Sequence, residues 1–466
     1  MIIDIEQENS ELNISFFNKE GGVSIKNIRI PEEEMYNWEY CKSGEKSYPG
    51  TLSWDDKPVK KKKAKHISNF RVIEYIESLP SGTIDEIYEF NTPKKWFMDI
   101  EVEIGDEWPK AETAKYPVTA IAFCNGKKMI CMGLKDLSAV QIKSIENRMN
   151  QHLKKQLNGM VMEFAYLKFS SEYDMLVSFF HKAILKLPLL TGWNFTKFDW
   201  QYLTNRCKRL NINMKPSSVS GKLLGKYNPM PMHRLIVDYM DIYKKWDRVV
   251  DIKENNTLDF VASSVLGVQK VKFNGSLQEL YNNDFESYIF YNVVDTKLVE
   301  LIDEKLNTLQ TFLTLANITK VEINRAFSPI YMAEAAMCRE CLNRNKVIPK
   351  SEKVERKKGK YEGAFVVDPK TGLYEWVGSL DFASLYPFIM RQWNISPDSY
   401  LRNIKVGETV DFEKEILTAS GAVFSKKEDS IFRTVLTDYY NKRKSAKKEY
   451  EAIEAEIQYL EQQLNN

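Results

Sequence analysis

Residues 94–312 alternate short strand-like runs with helical segments, and this alternation limits the fold more than any other feature of the sequence. The runs KWFMDIEVEI, VTAIAFC and KLPLLTGWN are rich in apolar residues and bounded by turn residues, which predicts strands. Strands that alternate with helices usually pack into one sheet that the helices cover. The pattern therefore predicts a mixed α/β domain.

The flanking segments have different patterns. Residues 1–93 mix short alternating runs with polar turns, which is typical of an α+β domain, and residues 320–345 have the spacing of a long helix. A single core rarely grows beyond about 250–300 residues. The 466 residues are therefore expected to form two to four domains.

The chain carries 66 basic and 64 acidic residues, so a polyanionic partner would have to bind local basic patches. The strongest patch is the lysine run formed by Lys60 to Lys63 with Lys65. A solvated loop is the simpler interpretation of this run, and contact with a nucleic-acid backbone is the alternative.

The cysteines and the hydropathy indicate a cytoplasmic protein. Of six cysteines, only Cys338 and Cys341 have C-x-x-C spacing, which favours coincidence on one helix face over zinc or redox chemistry. Free thiols suit a reducing cytosol, and no run of about 18 apolar residues is present. We therefore expect a soluble chain with no membrane partner.

Carboxylates occur at three separated places in the predicted α/β domain. Asp99 and Glu101 are two residues apart in a strand, so both project from one face. Asp199 follows the turn after a second strand, and could instead cap the next helix. Tyr291 and Asp295 lie one helical turn apart, and could be an ordinary surface pair. If the four carboxylates converge, bound cations would relieve their repulsion, which indicates a two-metal phosphodiester chemistry with Mg²⁺ or Mn²⁺.

The last helix-like segment has a heptad seam. Apolar residues recur at intervals of four and three, at Ala446, Tyr450, Ile453, Ile457, Leu460 and Leu464. Such a seam predicts that another helix packs against it. Packing on the body of this chain or self-pairing are the alternatives.

Motifs in a specific order give the chain a family resemblance. The series D-I-E, N-x-x-x-F-D and Y-x-x-x-D resembles the three exonuclease motifs of family B DNA polymerases, and DFASLYP resembles their first polymerase motif. YEGAFV resembles the motif between their proofreading and synthesis modules. DYMDIYKKW, AFSPIYMAEA, NKVIP and RQWNISPDS are most similar to polymerases of T-even-like phages.

The resemblance implies a domain order and a set of site residues. The implied domains are an amino-terminal domain at 1–93 and 313–358, a ribonuclease H-like 3′–5′ exonuclease at 94–312, a partial palm at 359–428 and the first fingers helix at 429–466. Two exonuclease metal ions would be held by Asp99, Glu101, Asp199 and Asp295, with Tyr291 positioning water. Asp381 would bind metal in the polymerase site, and the nucleotide would contact Phe382, Ser384, Leu385, Tyr386, Arg443 and Lys447. DNA would contact Asn194, Phe198, Tyr361 and Gly363.

The sequence departs from the family pattern in three respects. Phe388 follows LYP where the family usually has a small residue, and neither the second fingers motif N-S-x-Y-G nor the palm motif D-T-D appears. The D-T at Asp295 is followed by lysine and belongs to the exonuclease series.

These departures lead us to expect the amino-terminal part of a split phage replicative DNA polymerase, acting in the cytoplasm of the infected bacterium. A carboxy-terminal polymerase chain would complete the two-metal polymerase site, and through it a sliding clamp could attach. The expected substrates are primer–template DNA, single-stranded DNA and dNTPs. The alternatives are a truncated piece of a longer protein, a stand-alone exonuclease, and a non-catalytic nucleic-acid-binding regulator.

Overall fold

The computed structural model describes residues 1–246, 255–272, 275–350, 365–382 and 384–465. The strands are β1 (Ile2–Glu8), β2 (Glu11–Phe17), β3 (Val23–Arg29), β4 (Tyr36–Tyr40), β5 (Leu52–Ser53), β6 (Val59–Lys63), β7 (Lys95–Val102), β8 (Val118–Asn125), β9 (Lys128–Gly133), β10 (Glu163–Lys168), β11 (Leu189–Thr191), β12 (Leu223–Leu224), β13 (Met230–Pro231), β14 (Leu235–Ile236), β15 (Lys346–Val347), β16 (Tyr400–Asn403), β17 (Glu415–Leu417) and β18 (Ala422–Ser425).

The α-helices are α1 (Asn69–Glu77), α2 (Ser81–Tyr88), α3 (Ala139–His152), α4 (Glu172–Ser178), α5 (Asp199–Arg209), α6 (Tyr239–Trp246), α7 (Leu258–Leu266), α8 (Leu277–Asn283), α9 (Phe285–Leu306), α10 (Thr308–Ile318), α11 (Pro329–Asn343), α12 (Leu385–Gln392) and α13 (Ile431–Asn465). A π-helical turn covers Phe179–Ala183, and 3₁₀ turns cover Glu32–Glu34, Ile184–Lys186, Lys215–Ser217 and Ile323–Phe327.

The chain divides into two compact units, and the predicted mixed α/β fold is confirmed. The first unit contains Met1–Ile30 and Pro80–Met332, and the second contains Pro31–Leu79 and Ala333–Asn466. No helix in the described ranges is long and apolar enough to cross a membrane.

A six-stranded mixed sheet organises the first unit, in the order β10-β9-β8-β7-β11-β14. Strand β8 runs antiparallel to β7 and β9, whereas β10, β11 and β14 are parallel to their neighbours. Almost every residue of β8 is buried, as expected of a central strand covered on both faces. The same unit contains an antiparallel sheet, β1-β2-β3.

Helix α9 lies against β7 and β8 and is largely buried. The Asp284 side chain accepts a hydrogen bond from the Ser287 N–H at its start, and Asn307 ends it in the left-handed conformation with φ of 54°. Both features are ordinary helix-terminus signals. Because its sheet-facing side carries polar residues, α9 brings charged groups into the interior.

A buried ion pair ties α9 to the turn between β8 and β9. The Lys297 ammonium, which is 0% exposed, donates to Glu300 Oε2 at 2.7 Å and to the Gly126 carbonyl at 3.0 Å. Glu300 Oε1 accepts the Gly126 N–H at 2.6 Å. These contacts satisfy both charges, so the pair sets the position of the helix against the sheet.

In the second unit, Lys60 to Lys63 lie in strand β6, so the prediction of a loop was wrong, although Lys61 to Lys63 are exposed to solvent as predicted. β6 pairs antiparallel with β4, because Val59 is apolar and buried and the strand can complete its hydrogen bonds on that neighbour. Lys60 pairs with Glu45 at 2.5 Å, and Lys62 pairs with Glu39 at 2.9 Å.

The helix expected over residues 320–345 is shorter in the structure. A 3₁₀ turn covers Ile323–Phe327, and α11 begins only at Pro329. Proline fits the first turn of a helix but disfavours helical geometry in the residue before it, so the helix starts there. Cys338 and Cys341 are free and buried on α11, as a helix-face coincidence predicts.

The residues that lead to Asp381 form no regular secondary structure. Residues 365–382 form neither helix nor strand, and Leu380 and Trp376 are fully exposed. A strand needs a neighbour to satisfy its backbone groups, and no strand of the described residues pairs with this run.

The carboxyl-terminal elements are a sheet of order β16-β18-β17 and the helices α12 and α13. Arg391 of α12 donates to Thr437 Oγ1 at 3.0 Å, and the Phe388 ring meets the Tyr440 ring edge-on at 5.1 Å. Phe388, the departure after LYP, therefore serves as a packing contact between the two helices.

Replacement of Lys297 by alanine should lower the free energy of unfolding of the first unit by about 3 kcal/mol or more, because it leaves the Glu300 carboxylate buried without its partner. Denaturant unfolding followed by tryptophan fluorescence measures this loss. Lys143→Ala, which breaks an exposed pair with Glu146, should change stability by less than about 1 kcal/mol. Equal effects of the two variants would contradict this role of Lys297.

Candidate active site

Strand β7 presents two carboxylates on the face that α9 covers. Met98 and Ile100 belong to the hydrophobic core on one side of the sheet. Asp99 and Glu101 alternate with them, and Asn292 of α9 donates to Asp99 Oδ2 at 2.9 Å. Glu101 is buried and Asp99 is half-buried. The alternation of side chains along β7 thus places Asp99 and Glu101 on one face of the sheet, as the sequence predicted.

Asp199 is the first residue of α5 and connects back to β7. Its Oδ1 accepts the Ile100 N–H at 3.0 Å, and the N-cap residue Phe198 makes no side-chain capping bond. The capping alternative for Asp199 is therefore wrong. The chain before α5 can lie this close to β7 because residue 192 is glycine. A Cβ at Gly192 would lie only 2.2 Å from the Met98 carbonyl oxygen.

Helix α9 brings Tyr291 and Asp295 to the same place. Asp295 is 3% exposed and forms an ion pair with the Lys270 ammonium, which also lies 3.4 Å from the Tyr291 hydroxyl. The other carboxylate oxygen of Asp295, Oδ1, is buried and has no hydrogen-bond partner. The pair is part of a buried cluster and not an ordinary surface pair.

The carboxylates interact electrostatically. Burial and the charge of Asp295 raise the pKa of Asp99 to about 7, while Lys270 and the Asn292 hydrogen bond oppose the shift. Burial and the charge of Asp99 also raise the pKa values of Glu101 and Asp199 well above their ordinary values.

The neighbouring groups respond to the same field. Burial raises the pKa of Asp295, although the Lys270 charge works against it. Burial by itself would lower the pKa of Lys270, but the charge of Asp295 and the hydrogen bond to it outweigh burial, and the net shift is upward. Burial and the charge of Asp295 raise the pKa of Tyr291, so its hydroxyl keeps its proton at neutral pH.

The donor chemistry of this cluster fits a divalent cation. Carboxylate oxygens are the preferred ligands of Mg²⁺ and Mn²⁺. Asp295 Oδ1 accepts no hydrogen bond within the cluster, so its lone pairs are available to a cation. In the described part of the chain, no three acidic, histidine or cysteine side chains are arranged as a ready-made metal site. Asp295 Oδ2 turns to Lys270 and Asp199 Oδ1 to the Ile100 N–H, so these oxygens are engaged by protein donors.

Sequence reasoning missed Lys270 and Asn292. Lys270 follows α7 in an irregular segment with no motif around it, so no signal in the sequence indicated its contact with Asp295. Asn292 lies three residues before Asp295 on the same helix, and that spacing places both on one face. A search of the helix for polar residues beside the predicted ligands would have found Asn292.

The predicted DNA contacts have different outcomes. Asn194 adopts the left-handed conformation with φ of 56° in the loop before α5, and Phe198 is half-buried beside Tyr202, with ring centroids 5.7 Å apart. Tyr361 and Gly363 lie outside the described residues.

The predicted polymerase residues are exposed except for Ser384, which is half-buried. Asp381 and Phe382 lie in the irregular segment, and Ser384 precedes α12 with φ of 55°. Tyr386, on α12, is 69% exposed. Leu385 is also exposed on α12, and Arg443 and Lys447 are exposed on α13. The structure therefore brings the predicted exonuclease carboxylates together and leaves most of the predicted polymerase residues exposed.

Comparison with known proteins gives separate matches for the region of the carboxylate cluster and for the region of the predicted polymerase residues. The family model for the exonuclease domain of DNA polymerase family B matches residues 51–242, and the model for DNA polymerase family B matches residues 331–465. This chain belongs to DNA polymerase family B. Tyr291 and Asp295 lie between the two family B matches, so their place in the site rests on geometry.

Phage polymerases are among the family B relatives. The DNA-directed DNA polymerase of Escherichia phage RB69 is 28% identical over 398 residues, which is 79% of this chain and 43% of the relative. That of Enterobacteria phage T4 is 28% identical over 62% of this chain and 34% of the relative. DNA polymerase 1 of Saccharolobus solfataricus is 28% identical over 66% of this chain and 36% of the relative. The chain thus spans less than half the length of these relatives.

The raised pKa of Asp99 predicts a pH effect in metal-free buffer. Because the folded state holds the Asp99 proton up to about pH 7 while the ordinary pKa is 3.8, the folded state binds more protons between these values, and stability falls as pH rises through them. Asp99→Asn should remove the part of this loss of stability that comes from Asp99. Denaturant unfolding at pH 5 and pH 8 with a chelator measures the difference.

The control for this experiment is Asp136→Asn, because the Asp136 side chain is 82% exposed. It should leave the pH dependence unchanged. A pH dependence in Asp99→Asn equal to that of the unaltered protein would contradict the electrostatic account.

Proposed function

We propose that this chain carries a 3′–5′ exonuclease that hydrolyses the terminal phosphodiester of single-stranded DNA, together with the first part of a DNA polymerase site. The observation that supports the exonuclease is the meeting of carboxylates from β7, α5 and α9 in one buried cluster. The strand order, with β8 antiparallel to both neighbours, supports the ribonuclease H-like architecture that the resemblance implies. We also propose the domain boundaries implied by that resemblance.

In the proposed exonuclease, Asp99, Glu101, Asp199 and Asp295 hold two Mg²⁺ or Mn²⁺ ions. When bound, such ions activate water and stabilise the leaving oxygen of a phosphodiester. The protonated Tyr291 hydroxyl orients the attacking water by a hydrogen bond. Lys270 balances the negative charge beside Asp295, which lowers the cost of burying the cluster.

DNA binding would use both polar and aromatic groups. Asn194 and Phe198 lie on the loop that ends at Asp199, which supports their contact with the terminal nucleotides. Aromatic stacking tolerates any base, whereas phosphate contacts make binding sensitive to salt. Both properties suit a proofreading enzyme.

The double variant Asp99→Ala, Glu101→Ala tests the exonuclease. It should lower metal-dependent degradation of a single-stranded oligonucleotide at least about 100-fold, because the remaining carboxylates cannot hold both ions. DNA binding, measured by fluorescence anisotropy, should persist. The matched control is Asp136→Ala, Glu163→Ala, which removes two exposed carboxylates of the same unit. Full nuclease activity in the Asp99→Ala, Glu101→Ala variant would contradict the assignment of these carboxylates to the exonuclease site.

For synthesis, we propose that Asp381 binds metal and that Phe382, Ser384, Leu385, Tyr386, Arg443 and Lys447 contact the incoming dNTP. All of these residues except Ser384 are exposed, which supports a site that needs further elements. The missing elements would be the rest of the palm and the second fingers helix on a carboxy-terminal polymerase chain, through which a sliding clamp would attach. The proposed setting is phage DNA replication in the cytoplasm of a bacterial host.

The seam of α13 supports a helical partner. Tyr450, Ile453, Ile457 and Leu460 are 63%, 57%, 49% and 52% exposed, and no described residue covers them. Residues 441–463 are exposed on every face. Burial of apolar side chains in a seam is what holds paired helices together.

Reconstitution tests the polymerase proposal. The chain alone should not extend a primer, and addition of a polypeptide with the second fingers helix and the D-T-D motif should restore extension. Asp381→Ala should abolish the restored synthesis and leave nuclease activity intact. If the added polypeptide neither binds nor restores extension, the two-chain proposal fails and a stand-alone exonuclease is favoured.

Variants of the seam identify its role in that reconstitution. Ile453→Asp with Ile457→Asp should weaken binding of the added polypeptide at least about 10-fold, because two charges would be buried in the seam. Ala455→Asp with Gln462→Asp places the same charges on the opposite face of α13 and should leave binding unchanged. Pull-down and size-exclusion chromatography measure both. Equal binding of the two variants would exclude the seam.

A further inference from the structure

The loop between β11 and α5 carries three groups of the proposed exonuclease. It includes Asn194 and Phe198 and ends at Asp199, the first residue of α5. Asn194 adopts a left-handed conformation, which asparagine adopts more often than most other non-glycine residues. Side chains from later in the chain hold this loop by hydrogen bonds.

One residue at the centre of the loop, Thr196, is held from both sides. Asp238 Oδ2 accepts the Thr196 N–H at 3.0 Å and the Thr196 hydroxyl at 3.2 Å. On the other side, the Asn228 amide donates to the Thr196 carbonyl at 2.9 Å. All the polar groups of Thr196 are thus bound by side chains from later in the chain.

Asp238 is itself fixed and buried. It is 3% exposed, and its Oδ1 accepts the Met240 N–H at 3.0 Å at the start of α6. The next residue, Tyr239, donates its N–H to the Gly192 carbonyl at 3.0 Å. The carboxylate therefore connects the start of α6 to the middle of the loop, while the adjacent backbone holds the beginning of the loop.

We propose that Asp238 and Thr196 are positioning residues of the exonuclease, which hold the loop so that Asp199 faces Asp99 and Glu101. The inference rests on the exonuclease function proposed above. Neither residue touches the substrate or a metal ion in this role. Asp238 acts only through Thr196, by accepting two hydrogen bonds that a neutral apolar side chain cannot accept.

The neighbouring Asp241 provides a contrast. It forms an ion pair with Lys197 of the same loop at 2.8 Å, but Lys197 is 58% exposed and Asp241 36% exposed. Exposed pairs of this kind contribute little to geometry or stability. The two acidic residues thus differ in burial and in whether they bind the loop backbone.

Three variants test the proposal on a single-stranded DNA substrate. Asp238→Ala should lower kcat about 10- to 100-fold and raise the Mg²⁺ concentration for half-maximal activity. The reason is that a small displacement of Asp199 lowers the reaction rate strongly even where the stability of the fold changes little. Thr196→Val, which removes only the hydroxyl bond, should lower kcat about 3- to 10-fold. Thr196→Ser keeps that bond and should stay within about 2-fold of the unaltered chain.

The controls separate positioning from a general loss of stability. Asp241→Asn should retain full activity and the unaltered Mg²⁺ requirement. All assays are made at least 15 °C below the melting temperature of each variant, and KM for the oligonucleotide should change less than kcat. If Asp238→Ala does not fold, the comparison of Thr196→Val with Thr196→Ser carries the test.

The outcomes distinguish this inference from the function on which it rests. Unchanged kcat and Mg²⁺ requirement in Asp238→Ala and in Thr196→Val, in a chain whose unaltered form degrades DNA, overturn the positioning role alone. Equal loss in Thr196→Val and Thr196→Ser also overturns it, since the hydroxyl bond would then have no part. An unaltered chain without nuclease activity overturns both proposals.

Discussion

The meeting of four carboxylates beside β7 in the interior of the protein is the constraint on which the first unit depends. Like charges in the interior repel one another, so Asp295 raises the pKa of Asp99, and Asp99 raises the pKa values of Glu101 and Asp199. The protein offsets this cost with specific donors: Asn292 to Asp99, the Ile100 N–H to Asp199, and Lys270 to Asp295. Around this cluster the buried Lys297–Glu300 pair and the core of the sheet keep β7 and α9 in contact. In the proposed function, bound divalent cations would offset the repulsion that these donors leave.

Much of the candidate site could be predicted from local pattern. The strand with Asp99 and Glu101, and the helix with Tyr291 and Asp295, follow from periods of two and of about 3.6 residues. The partners Lys270, Asn228 and Asp238 could not be predicted in this way. Each makes its contact across 25 to 42 residues of chain, and no period in the sequence encodes a contact that depends on strand order and helix docking.

The second unit contains segments whose structure differs from what their local sequence pattern indicates. Four successive lysines indicated a loop, yet Val59 and the neighbouring strand β4 turn them into a paired strand. Residues 365–382, which include Asp381, form no strand, and no described strand lies beside them. In both cases the presence or absence of a neighbouring strand, and not the propensity of the segment, decided the outcome. The same dependence explains why most of the predicted polymerase residues are exposed while the predicted exonuclease residues are assembled.

The sequence by itself determined which elements form around the candidate site, which residue types they carry and, through the order of its motifs, the family. It also determined the apolar seam of α13, since the spacing of four and three residues is a local property. Only the tertiary structure decided that Asp199 bonds to β7 instead of capping its helix, and that Lys270 faces Asp295. It alone showed that Thr196 is held by Asp238. These are contacts between distant segments, and their energies depend on burial and on neighbouring charges that exist only once the sheet and its helices have packed.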